Sequence, residues 1–170
     1  SDEIELTTLS VLGTIAPASG IDLHLSVSSD LTVGIDGTID ASGAGYADDS
    51  GPGSGEEGTT SGGGGGHGGS GGTAYSGALG GSPYGSAYYP IEAGSAGGAT
   101  SSYSVPGGPG GGRVFLEVGG ELRVDGLIAA DGSDGGEISG RCSGGGSGGS
   151  VYISAGSVTG AGAIAADGGS

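Results

Sequence analysis

Apolar residues recur at every second position in four separate stretches of the chain. The stretches are IELTTLSVLGTIAPASG (residues 4–20), IDLHLSVSSDLTVGIDGTIDASG (21–43), RVFLEVGGELRVDGLIAADG (113–132) and VYISAGSVTGAGAIAADGG (151–169). Alternation of this kind marks strands with one buried face. Each stretch holds one alternating run, then a second, then a short third with an isoleucine, followed by x-Ala in the last three units. Ile15, Ile39, Ile128 and Ile164 occupy the same place in each unit. Val11, Val33 and Val124 share another, with Gly160 near the corresponding point of the fourth unit.

The units are about 17 to 23 residues long. That length suits one three-stranded turn of a solenoid whose equivalent positions stack. The fold class expected is therefore all-β: a right-handed parallel β-helix forming a single domain over residues 1–170. Its turns would be 4–20, 21–43, 113–132 and 151–169. A column of Ile15, Ile39, Ile128 and Ile164 would line its interior. Leu6, Leu23, Leu25, Leu116, Val118 and Ile153 would form another. A β-sandwich of similar short strands is the alternative.

Two long insertions, 44–112 and 133–150, leave the pattern directly after DASG and AADG. They hold most of the chain's 48 glycines, in runs such as SGGGGGHGGSGG (61–72), GSAGGA (94–99), GGPGGG (107–112) and SGGGSGGS (143–150). So much backbone entropy is costly to order. One ordered form is open to such runs: polyglycine-II-like extended helices with three residues per turn, packed side by side where only glycine fits. Docking of the tracts on the strands is the expectation. Between the tracts lies a tyrosine-rich stretch, YSGALGGSPYGSAYYPIEAG (75–94). It reads as a small satellite core or as an exposed platform of Tyr75, Tyr84, Tyr88 and Tyr89 for a glycan or protein partner.

Charge narrows the partners. The chain carries 19 acidic residues, three arginines and no lysine, a net charge of −16. No basic patch can form for nucleic acid, and an anionic membrane surface would repel the chain. Asn, Gln, Met and Trp are missing as well. The loss of residues that deamidate or oxidise fits long-lived extracellular material. No run is apolar enough for a transmembrane helix, and no signal peptide is recognised. The chain reads as a mature protein or a fragment of a longer one. Its one cysteine, Cys142, has no internal partner and suggests an intermolecular disulfide.

The order GTIDASGAGY, SGPGSG, GGGGGHGGSGG, YGSAYYPIEAGSAGG, GGRVFLEVGGELRVDG and SGGGSGGSVYISAG resembles the glycine-rich parallel β-helix segments of very large secreted proteins. These are microbial adhesin-like and extracellular-fibre proteins. The resemblance covers roughly residues 31–170 and is most specific at GGGGGHGG, at Tyr84–Ser86 and at SGGGSGGSVYI. Asp131 and Asp167 stand where such segments often carry Asn. The resemblance implies a structural or adhesive role at the cell surface, in a parent chain usually many times longer, with no catalytic residues.

Candidate chemistry is sparse. Without lysine no phosphate-binding P-loop exists, and G-x-G-x-x-G strings arise here from composition without the βαβ context a dinucleotide needs. His24 and His67 are poorly placed for nucleophilic catalysis. An enzyme is not expected. Calcium is the one cofactor the loops suggest, through Asp131, Asp134 and Glu137 in DGSDGGE, and Asp48, Asp49, Glu56 and Glu57 in ADDSGPGSGEE. Plain solvated acidic loops are the alternative. The function expected is an extracellular structural protein, a self-assembling subunit or segment of a surface filament. Its assembly interface would be Ile4, Leu6 and Leu9 at one end and Val158 and Ile164 at the other. A carbohydrate-binding adhesin segment is the second reading. Ice binding is a third, weakened because Thr7, Thr8, Thr14, Thr32, Thr38 and Thr159 form no clean column.

Overall fold

A computed structural model describes residues 4–170. Among them no helix occurs, and about a third of the chain is strand. The first unit forms β1 (Ile4–Leu6), β2 (Leu9–Val11) and β3 (Thr14–Ile15). The second forms β4 (Leu23–Val27), β5 (Leu31–Val33) and β6 (Thr38–Asp40). The third forms β7 (Arg113–Val124) and β8 (Leu127–Ala129). After a small antiparallel pair, β9 (Glu137–Ile138) and β10 (Arg141–Cys142), the fourth unit forms β11 (Ser150–Thr159) and β12 (Ala163–Ala165).

The units pair only in parallel. One six-stranded sheet runs β1-β4-β7-β5-β2, with β11 on the other side of β7. A four-stranded sheet runs β12-β8-β6-β3. Ile15 pairs with Ile39, Ile39 with Ile128 and Ile128 with Ile164, so the shared isoleucine sets one register. The strands β7 and β11 are long because the break between first and second runs has gone. In β7 the Gly119–Gly120 pair crosses the Ser28–Asp30 bend of the second unit. A Cβ on Gly119 would lie 2.3 Å from the Ser28 carbonyl oxygen, so no side chain could ride there.

The right-handed parallel β-helix expected from the repeat is not the architecture. The strands form two open sheets, mostly parallel, arranged as a half-barrel. Alternation dictates which side of each strand is apolar, but not that successive turns close around an axis. Glycine backbone packs at the margin of this arrangement, where a Cβ on Gly112 would lie 2.9 Å from the Ala44 Cβ and 3.0 Å from the Ala41 carbonyl oxygen.

The apolar sides of both sheets meet in one core. Leu25, Leu31, Ile39, Leu116, Leu122 and Ile128 are essentially inaccessible, with Val27, Val33, Val114 and Val124 beside them. Each such side chain contributes roughly 1.5–3 kcal/mol by burial. Ala41, Ala44 and Ala130 form the margin of this core towards the glycine tracts.

The tracts are ordered by their own backbones. The Gly144 and Ser147 N–H groups donate to the carbonyls of Gly98 and Ser95, both at 2.9 Å. Gly146 and Gly149 donate to Ser133 and Ala130, at 2.9 and 2.7 Å. Gly108 and Gly111 donate to Gly144 and Ser147, both at 2.9 Å. Each neighbour is met every third residue, whereas a strand returns to one side every second residue. Three residues per turn is the spacing of an extended helix without internal hydrogen bonds. The close approach requires glycine: a Cβ on Gly144 would stand 1.9 Å from the Gly63 carbonyl oxygen.

Candidate functional site: the open ends of the strand stack

Parallel pairing leaves the first and last units with one unpaired side each. The strands β1, β2 and β3 are edges at one end, and β11 and β12 are edges at the other. An edge strand presents a row of free N–H and C=O groups. Here the apolar columns of the core also run out to both ends.

The column Leu9–Leu31–Leu122–Val158 is continuous in register. Leu31 and Leu122 inside it are 0% exposed, whereas Val158 at its end is 56% exposed. In the isoleucine column Ile39 and Ile128 are 0% exposed and Ile164 is 48% exposed. Leu6, Val27, Val118 and Ala155 form a third column, with Leu6 and Ala155 only partly buried. Leu6 and Leu9 thus lie on one terminal edge, and Val158 and Ile164 on the opposite one. Ile4 belongs to β1, paired with Leu25.

The polar positions between these columns alternate in character. Glu5 pairs with Ser26, Ser26 with Glu117, and Glu117 with Ser154, so carboxylate and hydroxyl take turns along the stack. His24, Phe115 and Tyr152 form an aromatic ladder on the outer side. His24 meets Phe115 edge-on at 4.6 Å, and Phe115 stacks on Tyr152 at 4.4 Å. Tyr89 reaches the ladder from the insertion, 6.0 Å from Tyr152. Beside it Arg113 forms a two-pronged ion pair with Asp22 and donates to the Ile91 carbonyl. The ladder escaped sequence reasoning. Its signal was present, since the three residues share one register position in IDLHLSV, RVFLEV and VYISAG.

Acidic side chains reach from one unit to backbone N–H groups of the next. Asp30 accepts from Glu121 N at 2.8 Å, and Asp131 accepts from Asp167 N at 2.7 Å. Asp134 accepts from both the amide and the hydroxyl of Ser170, at 2.8 and 2.9 Å. These two hydrogen bonds hold the Asp134 carboxyl below its ordinary range. Asp125 is held low by the Arg123 guanidinium, 2.6 Å away, and by the Ala161 amide.

These bonds change how the proposed calcium loops look. Asp131 and Asp134 each accept backbone N–H groups, and Glu137 lies exposed in β9. In the other loop Asp49 accepts weakly from Gly107 N at 3.4 Å, and Glu56 accepts from Leu79 N at 3.0 Å. Asp48 and Glu57 are not bonded to either of these. Among the described residues no group of three or more His, Cys, Asp or Glu gathers as metal ligands. The structure therefore does not bring either acidic set together.

The tyrosines divide. Tyr75 and Tyr88 are fully exposed and Tyr89 largely so. Tyr84 is instead tied into the fold. Its hydroxyl donates to the Ala93 carbonyl and accepts from Ser95 Oγ at 2.9 Å, and its ring leans on His67 at 4.7 Å. Burial raises its pKa above the ordinary phenol value. It does not belong to an exposed platform. A groove of about 750 Å³ lies beside it, lined by His67, Tyr84, Pro90, Ser147 and bare glycine backbone. His67 Nδ1 is 3.0 Å from the Gly148 carbonyl in its wall. Cys142 is a free, exposed thiol in β10.

No protein-family model, curated protein or solved structure matches this chain.

Proposed function

We propose that this chain is an extracellular structural protein, a subunit or segment of a surface filament that grows by stacking strand layers end to end. The observation carrying this reading is that core columns fully buried inside the molecule end in exposed Val158 and Ile164 at one strand edge. An unblocked edge beside exposed apolar surface templates pairing with another chain. The opposite edge, β1 to β3, offers Leu6, Leu9 and Ile15 in the same columns. Contacts between two different ends do not close on themselves and generate filaments. The acidic, lysine-free composition suits a soluble molecule outside the cell, where self-repulsion limits unspecific clumping.

Electron microscopy and sedimentation of the purified chain over a range of concentrations test this. Linear particles should grow with concentration. Four strand levels per molecule, at ~4.8 Å each, give an axial repeat of ~19 Å. Val158→Lys places a charge on a position already more than half exposed, so folding should be kept and assembly lost. A wild-type chain that stays monomeric at every concentration would sink the proposal.

A second reading rests on Tyr75, Tyr88 and Tyr89, whose exposed rings suit carbohydrate or protein contacts in an adhesin segment. Glycan binding lost on replacing Tyr88 and Tyr89 by Ala, in a chain that does not assemble, would favour it.

A further inference from the structure

The two ends of the stack are not interchangeable, and their differences define a joint. We infer that the β11–β12 edge is a docking surface for the β1–β3 edge of a second copy of this chain, in one polarity and one register. This inference rests on the self-assembly proposed above.

Four observations fix the joint. The first is strand direction. Every pairing within the two sheets is parallel, and a head-to-tail copy continues that pattern. The second is the apolar columns. Extending the internal register sets Leu9 of the incoming copy on Val158, Ile15 on Ile164 and Leu6 on Ala155. Each continues a column already present in the molecule.

The third is polar matching. The outward column runs Glu5, Ser26, Glu117, Ser154, so the incoming Glu5 lands on Ser154 and alternation is kept. Joining two β1 edges at this position would set Glu5 against Glu5, and like charges directly opposite are destabilising.

Hydrogen bonding carries the same polarity. The residues three positions after the stacked isoleucines are Ala18, Ser42, Asp131 and Asp167. Ser42 Oγ accepts from Asp131 N at 3.1 Å, and Asp131 Oδ1 accepts from Asp167 N at 2.7 Å. Side-chain acceptors thus point along the stack towards β12, and amides point back. At the β12 end Asp167 stands in the acceptor position. The register brings the Ala18 amide of the next copy to it. Two β12 ends facing each other would bring acceptor to acceptor.

Cross-linking reads the joint directly. Facing positions on parallel neighbours are about 4.8 Å apart, within the separation a disulfide spans. Glu5 and Ser154 are exposed, so cysteine at either leaves the core intact. Two chains are prepared in a Cys142→Ser background, one with Glu5→Cys and the other with Ser154→Cys, then mixed and oxidised. The expected product is the 5–154 heterodimer, in clear excess over both homodimers. A chain carrying both substitutions should give a ladder of covalent multimers. Predominant 154–154 or 5–5 homodimers would overturn the head-to-tail joint while leaving self-assembly standing. Assembly seen by sedimentation with no cross-link at these positions would overturn the register. No assembly by either chain or by the wild type would overturn this inference together with the function it rests on.

Discussion

The strand sheets and the glycine tracts occupy one small molecule yet are held by opposite means. In the sheets, side chains alternate with a period of two and the stabilising term is apolar burial, concentrated in Leu25, Leu31, Leu116, Leu122, Ile39 and Ile128. In the tracts there are almost no side chains to bury. Backbone hydrogen bonds recur every third residue, and packing is close because nothing projects from Cα. A hydrogen bond nets only about 1 kcal/mol after exchange with water. Ordering a glycine costs at least the 1–2 kcal/mol of backbone entropy that any residue loses. The tracts therefore lean on the sheets, meeting them through backbone hydrogen bonds such as Gly112 N to the Ala41 carbonyl at 2.7 Å. Ala41, Ala44 and Ala130, buried where the two meet, are small enough to let glycine backbone approach the core.

The largest expected effect is on the sheet side. Leu122 is completely buried at the centre of its column, between Leu31 and Val158. Leu122→Ala should cost about 2–5 kcal/mol, the transfer loss plus the cavity left behind. Denaturant unfolding followed by circular dichroism measures it. A cost below about 1 kcal/mol would mean that the column is not a packed core.

Gly144→Ala tests the glycine side, with an opposite kind of insult. Adding one methyl group where a Cβ meets the Gly63 carbonyl oxygen at 1.9 Å forces two backbones apart. Overpacking of this kind costs roughly 1–3 kcal/mol. The same change at Gly68, where a Cβ meets nothing within 4 Å, is the control. It should be neutral to within about 0.5 kcal/mol. Equal tolerance at both sites would mean the tracts are not packed in solution.

The two regions also differed in how far the sequence made them legible. Alternation in IDLHLSV and RVFLEV reveals strands because it records which side is buried. The isoleucine in the short third run of each unit aligned Ile15, Ile39, Ile128 and Ile164, because a shared register needs a shared residue. What alternation does not encode is closure. Two open sheets and a solenoid demand the same apolar side, so the β-helix expectation failed at the element for which the side-chain code is silent. Within the tracts, composition speaks of close approach but not of which tract meets which. Gly144 meets both Gly98 and Gly63 through folding, not through any spacing in the chain. Tyr84 shows the same limit from another side. Its neighbours Tyr88 and Tyr89 project into solvent, while its hydroxyl is used by Ser95 and Ala93, and no local pattern separates them.

Acid is the mildest way to separate the regions, because carboxylates link successive units on the exposed margin of both. Asp134 accepts the Ser170 amide and hydroxyl in the tracts, and Asp125 holds Arg123 and the Ala161 amide beside the sheets. Both carboxyls are depressed below their ordinary value of 3.8. For a depressed carboxyl the unfolded chain binds protons first, so the stabilisation is fully present above the unfolded value. It is lost as the pH falls below 3.8 towards the folded one. Stability should therefore be flat from neutral pH to about 5 and decline below about 4, where unpaired carboxylates have begun to protonate. Asp134→Asn, which still offers an acceptor oxygen but cannot titrate, should lower neutral stability slightly, shallow the acid decline by the same amount and converge with the native protein in acid. Denaturant midpoints of the two proteins at neutral pH and near pH 3 decide the matter. An identical acid slope in both would show that the Ser170 contact is not formed in solution.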